Sequence, residues 1–139
     1  MSNDELQILI SARKREINEL NEEIEQLKIE MDQVLDAEIE VRRADGAFTD
    51  YIECEKTLSE RMISTERVRA AVGFGIRMNK ALAGAKYRSA ASGVDSIKKA
   101  IEKRKLDIEK RIEQCRRKIS SLQDLVLSLN QRLSQADGR

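Results

Sequence analysis

Apolar residues recur along the first forty positions in steps of four and three that never break. Positions 6, 10, 13, 17, 20, 24, 27, 31, 34, 38 and 41 read Leu6, Ile10, Arg13, Ile17, Leu20, Ile24, Leu27, Met31, Val34, Glu38 and Val41, nine of eleven apolar. Such alternation is the a/d seam of a heptad repeat. Ser2 with Glu5 three places later has the form of a capping box, Asn3 is the alternative cap, and Gly46 after Asp45 offers an end. The pattern predicts a helix over about 4–45, roughly 60 Å long at 1.5 Å per residue.

The last segment repeats the pattern. Positions 101, 105, 108, 112, 115, 119, 122, 126, 129 and 133 read Ile101, Lys105, Ile108, Ile112, Cys115, Ile119, Leu122, Val126, Leu129 and Leu133, nine of ten apolar. A second helix is expected over about 94–134, starting after Gly93 with Ser92 or Asp95 as its cap. Cys115 sits in mid-seam and reads as a small core residue rather than a reactive thiol. Two helices of equal length, each with one stripe and joined by a segment that must return the chain, are expected to lie antiparallel. Leu20 and Ile24 would then meet the stretch from Ile112 to Ile119.

Between them, Phe48, Tyr51 or Ile52, Leu58, Met62 and Val68 fall at near-helical spacing and predict a third amphipathic helix. Residues 70–93 differ, with thirteen small side chains of twenty-four, four cations (Arg77, Lys80, Lys86, Arg88) and no acid. Gly73-Phe74-Gly75 predicts a break there, because glycine costs a helix about 1 kcal/mol. The expected fold is therefore all-α: one domain, an elongated antiparallel helical hairpin or coiled coil with a shorter helical middle segment over about 47–92, interrupted near 73–75.

Composition narrows the function classes. The chain has no proline, tryptophan or histidine and is 37% charged, with 3% aromatics and a mean hydropathy of -0.55. Without turn-formers and aromatic strands a β-rich fold is excluded. Without histidine the usual acid-base catalyst and metal ligand is missing. Cys54 and Cys115 have no CxxC partner, so no zinc site assembles, and two buried reduced thiols are expected in preference to a disulfide. We expect no enzyme: no catalytic, cofactor or metal site. No 18-residue apolar run occurs that would span a membrane. The start MSNDELQ lacks the basic and apolar regions of a secretory signal, so the expected location is the cytoplasm, with any export leaderless.

The net charge of +1 conceals an asymmetry. Residues 1–40 carry four basic and twelve acidic side chains, a net of −8, while 41–94 carry +4 and 95–139 carry +5. Antiparallel pairing absorbs these blocks, since Glu16, Glu19, Glu22, Glu23 and Glu30 would face Lys103, Arg104, Lys110, Arg111, Arg116, Arg117 and Lys118. Nucleic-acid binding is disfavoured, because Glu102, Asp107, Glu109 and Glu113 interrupt the basic run and no aromatic is there to stack on a base. No GxxxxGK[ST] loop supports nucleotide binding. Phe74, Ile76, Met78, Leu82 and Tyr87 mix with cations as on a membrane surface, but close helix packing against a partner is the better use of so many alanines and glycines.

A heptad-bearing first helix, a variable middle, a small-residue turn and a last helix rich in Ile and Leu resemble the YwqH-like small helical partners of LXG-domain toxins. These are relatives in architecture of the WXG proteins of type VII secretion. The W-x-G turn of that family corresponds to Leu82-Ala83-Gly84, with leucine in place of tryptophan, and Tyr51 to Glu55 fits its loose YxxxD/E pattern. The resemblance implies a non-enzymatic targeting chaperone that binds a toxin's N-terminal helical domain and is exported with it or delivers it. From the residues themselves, Phe48, Ile52, Leu58, Met62, Phe74 and Leu82 are expected to form an exposed apolar surface, with Gly84 added by the turn motif, and to engage a protein partner by helix-helix packing. The alternative is a structural coiled coil whose partner is a second copy, a homo-oligomer.

Overall fold

The computed structural model describes residues 2–64 and 69–137, so Val68 lies outside the described residues. The described chain is helical and contains no strand: α1 (Asn3–Ser64), α2 (Arg69–Leu82) and α3 (Ala85–Asp137). The all-α helical hairpin read from the seam is the observed fold. At the start of α1 the capping box forms reciprocally. Glu5 N donates to Ser2 Oγ and Ser2 N to Glu5 Oε2, each at 3.2 Å, which satisfies donors that a helix start leaves without partners.

The chain divides into two compact units, one of residues 1–34 with 104–139 and one of residues 35–103. In the first, α1 packs against α3 in two apolar clusters. Leu6 and Ile10 meet Val126 and Leu129, with Leu9, Ile17 and Leu133 around them. Ile24 meets Cys115 and Ile119, with Ile17, Leu20 and Ile112 alongside. Rising numbers on α1 face falling numbers on α3, so the helices are antiparallel and the expected midpoint contact is present. All eleven expected seam positions of α1 and all ten of α3 are buried or half-buried. Ile108 and Cys115 are fully enclosed, and burying a side chain such as Ile108 contributes about 1.5–3 kcal/mol.

Charged flanks line one side of that seam. Arg111 grips Glu23 with two bonds, Nε to Oε1 at 2.5 Å and Nη2 to Oε2 at 2.9 Å. One heptad along α1, Glu30 Oε1 accepts from Arg104 Nε at 2.6 Å. Two of the other expected cross-seam partners choose their own helix: Glu16 binds Arg13 at 2.5 Å and Arg117 binds Glu113 at 3.1 Å. The Arg111–Glu23 side chains keep 38% and 36% of their surface, so the pair fixes register more than it stabilises.

In the second unit three expectations about helix ends are corrected. α1 does not stop at Gly46, α2 runs through Gly73-Phe74-Gly75, and α3 begins at Ala85 rather than after Gly93. The reason for the first and third lies in the seam. Its three-and-four step continues past Val41 through Asp45, Phe48, Ile52, Glu55, Ser59 and Met62, all half-buried or buried. On α3 it continues back from Ile101 through Lys98 and Val94, skips the exposed Ala91 and returns one heptad on at Tyr87. Gly46 and Gly93 lie off these rows with open space around them. A glycine there costs the helix only about 1 kcal/mol, which the continuing contacts outweigh.

Gly75 is a different case. A Cβ on it would stand 2.6 Å from the Ser59 carbonyl oxygen and 2.9 Å from Ile63 Cγ1, so the missing side chain lets α2 lie directly on α1. Ser59 is fully buried at this crossing, where its hydroxyl bonds the Lys56 carbonyl oxygen at 2.9 Å and the Asn79 side-chain oxygen. The interruption comes instead at Ala83-Gly84. Gly84 N donates to Ala81 O at 3.0 Å and Arg88 N to Gly84 O at 3.2 Å, closing one helix and opening the next. No residue here has a positive φ, and what requires glycine is the Ala81 carbonyl oxygen 2.9 Å from where a Cβ would stand.

Candidate functional site

The seven residues expected to form a partner-binding surface separate into three groups. Leu82 keeps only 6% of its surface, which corrects its expected exposure: it belongs to the packing of α2. Phe48, Ile52 and Met62 are half-buried on the continued seam. The Phe48 ring stacks on Tyr87 with centroids 6.0 Å apart, and Met62 lies under Gly75. Gly84, half-buried, forms the bend. Only Leu58 and Phe74 remain exposed, and they are not shown on a common surface. Leu58 shares the outward face of α1 with Asp50, Glu53, Cys54, Thr57 and Arg61, whereas Phe74 opens onto a groove.

That groove, about 290 Å³ in volume, is lined by all three helices of the unit. α1 contributes Tyr51 and Glu55, α2 contributes Phe74, Arg77, Met78, Ala81 and Leu82, and α3 contributes Tyr87. Tyr51 and Phe74 at its rim keep 52% and 46% of their surface. The Glu55 carboxylate raises the pKa of the Tyr51 phenol, and the neighbouring Tyr87 adds to the effect. Aromatic and methionine side chains at the rim of a groove, with one charge of each sign, suit an apolar anchor on a partner's helix. The sequence offers Tyr51 only as an alternative to Ile52, and it groups Met78 and Tyr87 with Phe74 as a membrane-like surface rather than as the lining of a groove. The signal was available, since Tyr87 falls on the α3 row three residues after Gly84.

The chemistry otherwise stays bland. Both cysteines are free; Cys115 is buried, and burial followed by its hydrogen bond with Glu23 pushes its thiol pKa up, away from reactivity. Cys54 is exposed, correcting the expectation that both thiols are buried. The Glu23 pKa is held below the usual carboxylate value by its hydrogen bond from Arg111, and that of Arg111 is raised in return. Among the described residues there is no group of carboxylate or cysteine side chains able to hold a metal, and no helix is long and apolar enough to cross a membrane. Comparison with protein-family models, curated proteins and solved structures finds no match to the chain.

Proposed function

We propose that the chain is a non-enzymatic helical adaptor that binds a helix of a protein partner in the groove between Tyr51, Phe74 and Tyr87. The observation that carries this reading is the pairing of two exposed aromatic side chains, Tyr51 and Phe74, at the rim of one groove with a buried floor at Leu82, whereas the other exposed large apolar residues are aliphatic. The resemblance to YwqH-like proteins supplies a partner class, the N-terminal helical domain of an LXG toxin. The protein would act as its chaperone in the cytoplasm, target it to type VII secretion and leave, if at all, without a cleaved leader. The bend at Ala83-Gly84, within the stretch matching that family's turn, supports this reading.

The test is titration with the helical domain of an LXG toxin encoded beside this protein. A partner that binds only the folded form adds about 2.7 kcal/mol of stability at a hundredfold excess over its dissociation constant, seen as a raised melting temperature. The double variant Tyr51→Asp, Phe74→Asp should keep its helical circular dichroism and lose that shift. A variant that still binds removes the groove from the interface, and a wild type that never binds removes the toxin as partner. Self-association is the second reading, favoured by a seam that aliphatic residues dominate.

A further inference from the structure

Two outward-facing stripes on this chain are opposite in charge. On α1, Glu22, Glu25, Ile29 and Asp32 follow one another at steps of three and four, all on the solvent side, with Ile29 keeping 51% of its surface. On α2, Arg69, Ile76, Arg77 and Lys80 are all exposed, and Ile76 keeps 46%. Each stripe sets one isoleucine among charges mainly of one sign, with Lys28 the exception beside the acidic stripe. Among the described residues Arg69, Arg77, Lys80, Glu22 and Asp32 have no ion-pair partner, and Glu25 has only Lys28 at 3.4 Å. The segment 67–94 carries no acid of its own to neutralise the cations. Gly75 and the Ser59–Asn79 bond seat α2 on α1 by its opposite face, which leaves these cations outward.

We propose that the basic stripe of α2 docks on the acidic stripe of α1 of a second copy, Ile76 against Ile29, in a contact held chiefly by charge. Charge complementarity picks the copy over other occupants: the chain itself supplies the acidic helix with an exposed aliphatic residue that the stripe on α2 requires. The two faces are unlike, so the contact is heterologous, and copies can add head to tail unless geometry closes a ring. With one isoleucine a side the contact is weak, and it responds steeply to salt because screening shortens from about 30 Å at 0.01 M to about 3 Å at 1 M. The proposal stands apart from the groove reading: the two share only Arg77, and the substitutions that test this contact leave Arg77, Tyr51 and Phe74 in place.

Sedimentation of the full chain at low salt should give a mass that rises with concentration, and high salt should return it to one chain. Variant A, Arg69→Glu with Lys80→Glu, and variant B, Glu22→Lys with Asp32→Lys, should each stay monomeric at low salt with unchanged helical circular dichroism. Mixing A with B should restore association, because each reversed stripe then meets its opposite on the other variant. A wild type that is monomeric at low salt overturns the proposal, as does association that survives high salt or either reversal, or a mixture that stays monomeric. Should either variant fail to fold, the salt response of the wild type decides alone. A wild type that stays monomeric but co-sediments with phosphatidylserine vesicles overturns it in favour of a lipid surface for the cations of α2.

Discussion

The two units use the same three-and-four spacing to different ends. In residues 1–34 with 104–139 the seam is apolar except at Arg13 and Lys105, and the ion pairs between the helices, Glu23–Arg111 and Glu30–Arg104, sit outside it. In residues 35–103 polar groups enter the seam itself: Asp45 pairs with Lys98, Ser59 bonds Asn79, and an aromatic pair, Phe48 with Tyr87, stands between. An aliphatic seam supplies burial but tolerates sliding by a heptad. A buried polar pair contributes less net stability yet admits one register only, because a slip leaves a donor without its acceptor. One half is therefore suited to hold the hairpin together and the other to fix how its pieces face each other.

Four measurements would break or sharpen that contrast. The largest effect is expected from Ile24→Lys, which puts an unpaired charge beside Cys115 and should cost on the order of 2–4 kcal/mol or prevent folding. Cys115 reports it directly: a thiol reagent should modify Cys54 at once in the native protein but reach Cys115 only when its unit opens, so the variant should expose it. An unchanged melting curve with Cys115 still protected would remove Ile24 from the core. Gly75→Val comes next at about 1–3 kcal/mol, since its side chain meets backbone at Ser59. It should free α2 to hydrogen exchange while Cys115 remains protected, and equal loss of protection in both units would show that they unfold as one.

Ser59→Ala, which leaves the Asn79 amide short of its partner, should cost about 1–2 kcal/mol, again without uncovering Cys115. The smallest effect concerns pH. Arg111 holds the folded pKa of Glu23 below its unfolded value, so the stability this contributes is present above the unfolded pKa and is lost as pH falls through the folded one. Glu23→Gln should flatten the acid limb of a melting-temperature profile, and high salt should shrink the difference. An acid limb identical in the two proteins would show that the pair contributes no measurable stability.

Legibility followed the same division. The aliphatic seam of the first unit could be read residue by residue, because its period is carried by large side chains that have nowhere else to go. In the second unit the period persists in Asp45, Glu55, Ser59 and Lys98, residues that look like surface, so Gly46 and Gly93 read as ends. Gly75 reads as a break because a sequence shows what glycine costs a helix and not what another helix gains by lying on it. The groove was half legible. Phe74 was found, but Leu82 reads like any exposed leucine until the bend shows which way α2 turns.

The bend also changes what happens when the chain gains or loses a residue. Lys80 and Arg77 would continue the inward row of α3, yet they are exposed, and Val72, Gly75, Asn79 and Leu82 turn inward in their place. Rotational phase is therefore reset at Ala83-Gly84. A residue inserted within either long helix rotates everything beyond it by about 100° and throws that part of the seam to solvent. One inserted at the bend falls between two segments that are already out of step, where lengthening the connection leaves both phases standing. Among the described residues this is the one place between helices where the chain can change length while the seam survives, and the groove beside the bend changes shape with it.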